Sequence, residues 1–206
     1  FFLALRWEKD MFKPRGNRWL ILIAFVIGLS FGIHFMGLLT IPAIGLIYFF
    51  KNYEKITVKN FIVANVVSVA VLLFIFKLMF PNILRYFSIL ELFFVNQIGL
   101  PFNSGSIIAG LLLIAAFYYG LKYTRAKQLY HYNTGILCLL FILIGSSSWL
   151  MLPIRANANV VINENNPSSA RELLAYYNLE QYPETHLFYG PLFSDQYSGL
   201  DQNEPY

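Results

Sequence analysis

Long apolar stretches separated by clusters of basic residues are the feature that most constrains how this chain folds. Four stretches are apolar enough to enter a bilayer, at residues 19–50, 61–80, 106–121 and 132–152. A helix that crosses the hydrocarbon core needs roughly 20 such residues. Only 13% of the residues are charged, whereas a soluble domain carries about 25%. The sequence therefore predicts an all-α integral membrane protein built as a bundle of transmembrane helices.

The basic residues form three clusters, which predict the topology. The clusters are Arg6, Lys9, Lys13, Arg15 and Arg18; Lys51, Lys55 and Lys59; and Lys122, Arg125 and Lys127. The positive-inside rule places all three in the cytoplasm. Stretch 61–80 then leaves the cytoplasm, 106–121 returns, and 132–152 leaves again, which puts residues 156–206 outside. The net charge of +4 thus reflects loop orientation, and no nucleic-acid partner is expected.

Residues 19–50 are flanked by basic clusters on both sides, so this stretch must cross the membrane an even number of times. Each half has about 15 residues and reaches only about 22 Å, less than the roughly 30 Å of the hydrocarbon core. Glycines and Pro42 interrupt the stretch, and His34 lies near its midpoint. We predict a broken helical hairpin with a polar turn near His34. The alternative is one long, tilted, Pro-kinked helix of about 48 Å.

The pattern changes after each of the two outward stretches. Between Pro81 and Leu100, polar residues alternate with aromatic and aliphatic ones, which predicts an amphipathic helix on the outer membrane surface or a half-buried plug over a cavity. Ser169 and Glu172 match a capping box, which predicts a short helix in the outer tail. We accordingly divide the chain into a transmembrane region, 1–155, and the start of an extracytoplasmic soluble segment, 156–206.

Two ionisable residues are candidates for binding. His34 lies well inside an apolar stretch, where it either donates to a phosphate or hydrogen-bonds a neighbouring helix. Arg155 follows the last apolar stretch, where it either binds an anionic head group through its planar fork or anchors the helix at the interface. The small residues 145–148 favour close helix packing over a serine nucleophile. No metal-binding or phosphate-cradling motif is present, and no cofactor is identified.

Several segments resemble a domain-of-unknown-function family of polytopic bacterial membrane proteins related to the protein O-mannosyltransferase transmembrane protein 260. The first group is RWLILI at 18–23, GLSFGIH at 28–34, and IPA at 41–43. The second group is PIRANAN at 153–159, INENNP at 162–167, and YGP at 189–191. The resemblance covers nearly the whole chain, and its two Asn-rich blocks are its most specific part.

The resemblance implies a type C glycosyltransferase fold in a bacterial inner membrane. Such an enzyme transfers a sugar from a polyprenyl-phosphate donor to an acceptor, such as a protein, on the outer face. Its catalytic acid lies in a first outer loop, which this chain lacks. We therefore expect an internal fragment that needs its missing N- and C-terminal parts, and we assign no catalytic residue. The candidate substrate-binding residues are His34, Arg155, Asn157 and Asn159.

Two other functions remain open at this stage. Broken helices also bind substrates in secondary transporters, although a transporter is expected to repeat the broken helix in an inverted copy, which this sequence does not show. A structural subunit of an envelope export complex would need no polar cavity. The partners expected in every case include the lipid bilayer, and in the first case a lipid-linked sugar.

The topology can be tested by cysteine labelling in intact cells. Lys55→Cys and Arg125→Cys should react only with reagents delivered from the cytoplasm, and Glu184→Cys only with reagents delivered from outside, because the basic clusters are predicted to stay inside. Labelling of Lys55→Cys from outside would contradict the even number of crossings inferred for residues 19–50, and with it the predicted hairpin.

Overall fold

The computed structural model describes residues 1–158 and 160–183, and these residues form helices joined by short loops without any strand. The α-helices are α1 Phe2–Asp10, α2 Asn17–Phe31, α3 Thr40–Asn52, α4 Val58–Leu73, α5 Phe80–Leu92, α6 Ser104–Ala126, α7 Tyr130–Ser146, α8 Met151–Asn157 and α9 Ala170–Asn178. Four continuous helical stretches are long and apolar enough to cross a membrane, namely Phe35–Asn52, Val58–Gln97, Ser104–Ala126 and Tyr130–Asn157. The predicted all-α membrane bundle is confirmed.

Residues 17–52 form the broken hairpin and not one kinked helix. Helix α2 ends at Phe31, and a 3-10 turn, Phe35–Leu39, leads into α3. His34 begins this turn, and its Nδ1 accepts a hydrogen bond from the Met36 N–H at 3.1 Å. The far end of α3 returns to the start of α2, because Lys51 contacts Glu8 at 3.3 Å beside the loop that precedes α2. Each α-helix of the pair is too short to span the hydrocarbon core alone.

The predicted helix boundary at Pro81 is wrong. Residues 58–97 form one continuous helical stretch of 40 residues, in which a π-helical segment, Phe74–Met79, joins α4 to α5. A π segment changes the hydrogen-bond register, and Pro81 lies in the first turn of α5, where its missing N–H is tolerated. The amphipathic segment is helical as predicted, but α5 packs against α6 and α9, which agrees with the plug and not with a helix lying alone on the surface.

All three basic clusters lie at one end of the bundle, which we call the basic end. The end of α3 meets the residue that follows α1, since the Asn52 Nδ2 lies 3.1 Å from the Met11 Sδ. The start of α2 meets the start of α7, where the Asn17 Nδ2 donates to the Thr134 Oγ1 at 3.2 Å. This common location is the arrangement on which the predicted topology depends.

Helices α2 and α7 approach each other closely through glycine. A Cβ atom added to Gly28 would overlap the carbonyl oxygen of Ile142, and one added to Gly145 would overlap the carbonyl oxygen of Phe25. Side chains of ordinary size would therefore push the two backbones apart. Small residues serve the same purpose in many membrane helix pairs. The predicted packing role of the small residues 145–148 agrees with these contacts.

An aromatic cluster joins four parts of the chain at the end opposite the basic clusters. The Phe35 ring lies 5.7 Å from Phe76, 5.7 Å from Trp149 and 6.1 Å from Tyr177. Two polar bonds anchor the cluster to backbone: the Trp149 Nε1 donates to the Phe31 carbonyl at 2.9 Å, and the Tyr177 hydroxyl donates to the Phe76 carbonyl at 2.6 Å. The turn of the hairpin is thereby attached to the long helix, to the 3-10 turn Ser147–Leu150 that follows α7, and to α9.

Substitution at the glycine contact should lower stability. Gly28→Ala and Gly145→Ala each force a methyl group against backbone, which we expect to cost about 1–3 kcal/mol of unfolding free energy. Gly120→Ala is the matched control, because an added Cβ there lies 3.6 Å from the Ile136 Cδ1, an ordinary contact. Thermal unfolding in detergent measures the difference. Equal melting temperatures for all three variants would contradict the close approach.

Candidate functional site

A large cavity of about 1130 Å³ lies between α5, α6, α7, α8 and α9, and we call it the large cavity. Its walls are mostly aliphatic and aromatic, with Phe87, Ile107, Phe117, Leu121, Leu140 and Leu150 among the lining residues. Leu121 lies towards the basic end, where its carbonyl faces the Asn133 amide. The cavity therefore extends along much of the bundle, from the vicinity of the basic end to the aromatic cluster.

Two serine hydroxyls that line the large cavity are already engaged by their own helical stretch. The Ser146 Oγ donates to the Leu143 carbonyl at 3.0 Å, and the Ser147 Oγ donates to the Ile144 carbonyl at 2.7 Å. Back-bonding of this kind removes the hydroxyl hydrogen from competition for a ligand. The interior thus offers a ligand mainly apolar surface.

Polar side chains collect at one rim of the large cavity, at the end opposite the basic clusters. The rim residues are Asn103, Ser106, Asn157, Ser168 and Ser169. The Asn157 Nδ2 donates to the carbonyls of Pro153 and Ser168, each at 2.8 Å, and so ties α8 to the segment before α9. A long apolar cavity with a polar rim matches the shape of an amphiphile, with its apolar chain inside and its polar head at the rim.

Glu91 supports the rim from behind. Its carboxylate accepts from the backbone N–H groups of Asn103 and Ser106, both at 2.6 Å, and from the Ser106 hydroxyl at 2.9 Å. The side chain is buried, and a carboxylate at a helix N-terminus is favoured by the unpaired N–H groups and the helix dipole. Glu91 is therefore a cap for α6 that holds two rim residues in place.

Helix α9 covers the same end of the large cavity. The predicted capping box is confirmed, since Ser169 and Glu172 cap each other reciprocally. The hydroxyl of Ser168 and the neighbouring backbone N–H groups hold the pKa of Glu172 below its ordinary value. The hydrogen bonds to ionised Glu172 therefore stabilise the fold at pH values above the ordinary pKa of glutamate. This stabilisation is lost as the pH falls through the lowered pKa of Glu172. Burial raises the pKa of Tyr177 to about 12, so its hydroxyl stays protonated and keeps its bond to α4–α5.

The structure separates the residues that the sequence suggested as substrate-binding. Asn157 lies on the rim of the large cavity. Arg155 is exposed and does not line that cavity, although its neighbour Ile154 does. His34 is exposed in the hairpin turn and lines no described cavity. Asn159 and the YGP segment lie outside the described residues.

Sequence reasoning missed Glu91 as a supporting residue, although a signal was available. Glu91 is the only acidic residue between Glu54 and Glu164, a long apolar interval in which a charge needs a partner. That partner is an N-terminus 12 residues away, and only the tertiary structure shows it.

Comparison with known proteins gives one match. Residues 1–57 match the family described as the protein O-mannosyl-transferase TMEM260 N-terminal domain. The matched segment covers α1, α2 and α3 and includes the first group of motifs, at residues 18–43. It supports a relation to TMEM260 and hints at a glycosyltransferase-related family.

Neither of the other two comparisons adds a relative. No curated protein matches the chain, and no solved structure matches it. The Asn-rich blocks of the second group of motifs lie beyond the matched segment. The relation to TMEM260 therefore rests on the hairpin and on the helix that precedes it.

Removal of the Glu91 carboxylate should loosen the rim. Glu91→Leu leaves the Asn103 and Ser106 N–H groups without their acceptor, which we expect to cost about 2–3 kcal/mol. Glu91→Gln, which keeps one acceptor oxygen, should cost less. The exposed Glu54→Gln is the control. Thermal unfolding in detergent provides the measurement, and an unchanged melting temperature for Glu91→Leu would refute the capping role.

Proposed function

We propose that this chain is part of an integral-membrane glycosyltransferase that uses a polyprenyl-phosphate-linked sugar, and that the large cavity receives the donor lipid. The observation that carries the proposal is the polarity of this cavity, which is mainly apolar along its length and most polar at the rim. The match of residues 1–57 to the TMEM260 N-terminal domain supports the reaction class.

The dimensions of the large cavity agree with a lipid donor. Its volume of about 1130 Å³ exceeds the roughly 300–1,000 Å³ of pockets for drug-sized ligands. A cavity lined mainly by aliphatic and aromatic side chains suits a polyprenyl chain better than a soluble metabolite. Burial of each methylene contributes about 0.8 kcal/mol, so the apolar wall supplies most of the affinity.

The rim offers groups that suit a sugar. The Asn103 side-chain amide makes no hydrogen bond among the described residues, and the Asn157 Oδ1 and the serine hydroxyl oxygens can still accept, so the rim can both donate to and accept from sugar hydroxyls. Glu91 and Glu172 lie behind the rim, one on each side, and disfavour a second anion in direct contact with them. Arg155 and Arg171 are exposed within two residues of the rim residues Asn157 and Ser169, where their positive charge attracts the donor phosphate.

The two carboxylates nearest the rim both serve as helix caps. In this proposal the described residues bind the donor, and residues outside them supply the acid or base for sugar transfer. The position of the rim supports an acceptor on the side of the membrane opposite the basic clusters.

A transporter is the second candidate, and the broken hairpin is the observation that favours it. In residues 1–158 and 160–183 the hairpin appears once, without the inverted copy expected of such proteins. A structural subunit of an export complex remains the third alternative, but that function gives the large cavity no role.

Filling the large cavity tests the proposal. Gly110 lines it, and a Cβ added there meets nothing within 4 Å, so Gly110→Leu should place its side chain in open space without disturbing the fold. We expect binding of undecaprenyl phosphate to the detergent-purified protein, measured by native mass spectrometry, to weaken at least tenfold.

The matched control places bulk on the other face of the same helix. Leu112 is exposed on α6 and does not line the cavity, so Leu112→Phe should bind like the unmodified chain. Equal affinity for Gly110→Leu and Leu112→Phe would remove the large cavity as the donor site.

A further inference from the structure

A second cavity of about 620 Å³ lies at the basic end, between α2, α3, α4 and α7 with α1 at its base, and we call it the small cavity. Its deeper wall is aliphatic, with Ile27, Ile41, Ile75 and Ile142. Towards the basic end its lining changes to residues with polar groups, namely Trp7, Tyr48, Tyr53 and Asn60. Its polarity therefore runs opposite to that of the large cavity.

Trp7 provides the observation that points to a ligand. The residue is 4% exposed, lines the small cavity and stacks on Tyr48 with 6.0 Å between ring centroids. Its buried Nε1 has no hydrogen-bond partner among the residues that the structure describes. By contrast, the Trp19 Nε1 donates to Asp10 and the Trp149 Nε1 donates to the Phe31 carbonyl, both at 2.9 Å. Buried donors are nearly always paired, so the Trp7 N–H lacks an acceptor; the nitrogen is enclosed, and a ligand in the small cavity supplies that acceptor when the indole ring turns.

The charged residues around the small cavity indicate the charge of that ligand. Lys59 adjoins the lining residue Asn60, and Lys55 lies two residues after the lining residue Tyr53. The charged residues within two positions of a lining residue at the basic end are Arg6, Lys9, Arg18, Lys51, Lys55 and Lys59 against Glu8 and Glu54, six positive and two negative, a balance of +4. The surroundings favour an anion.

We propose that the small cavity binds an anionic phospholipid from the leaflet at the basic end. One acyl chain occupies the aliphatic part, an ester carbonyl accepts from the Trp7 Nε1, and the phosphate lies among the basic side chains. The volume falls within the range of small-ligand pockets, and a membrane helix about 10 Å in diameter does not fit in it. This site is distinct from the donor site and does not depend on transferase activity.

Two variants test the site in the purified full chain, with palmitoyl-oleoyl phosphatidylglycerol as the probe and the phosphatidylcholine analogue as its neutral counterpart. Gly135 lines the small cavity, and an added Cβ meets nothing within 4 Å, so Gly135→Leu should fill it and abolish the preference for phosphatidylglycerol. Native mass spectrometry counts the retained lipid, and Leu112→Phe is the control for added bulk.

Trp7→Phe removes only the N–H and keeps an aromatic ring, so phosphatidylglycerol binding should weaken about five- to tenfold, the effect of one hydrogen bond. Trp19→Phe is its control, because Trp19 does not line the cavity and its N–H is engaged by Asp10. Unchanged binding in Gly135→Leu or Trp7→Phe would overturn the proposal, as would equal retention of the two lipids by the unmodified chain. Undecaprenyl phosphate binding, measured in parallel, reports the large cavity separately.

Discussion

The backbone contact between α2 and α7 is the constraint on which the rest of the structure depends. Lipid tails are as apolar as leucine, so helices in a membrane gain little from apolar burial and associate through close packing. Gly28 and Gly145 permit that packing, and the Trp149 bond to the end of α2 fixes the same pair at the far end. Once this pair is set, the hairpin has a defined position against the other helices.

Helix α7 then separates two cavities of opposite polarity. Cys138, Leu139 and Ile142 line the small cavity, whereas Leu140 and Leu143 line the large one. The family match covers the helices that form much of the small cavity and the basic end, while the large cavity is formed almost entirely by helices beyond residue 57. The relation to TMEM260 and the geometry of the proposed donor site therefore support the proposed function independently of each other.

Irregular backbone is found where polar partners are available. His34 caps its own turn, Glu91 caps α6, and Tyr177 bonds a carbonyl of the π segment that precedes Pro81. Backbone groups in a bilayer must be paired within the protein, which explains why short polar side chains and lone charges accompany each break. The rim of the large cavity is composed largely of such helix ends.

The sequence alone determined those features that depend on residues close together along the chain. Hydropathy specified the membrane helices, basic clusters specified the hairpin, and Ser169 with Glu172 specified α9. Tertiary structure decided that Pro81 continues a helix, that Glu91 caps a distant N-terminus, and that Arg155 and His34 do not line the large cavity. The reason is physical: hydropathy and charge act locally, whereas the direction of a side chain and the space between helices depend on contacts between distant segments.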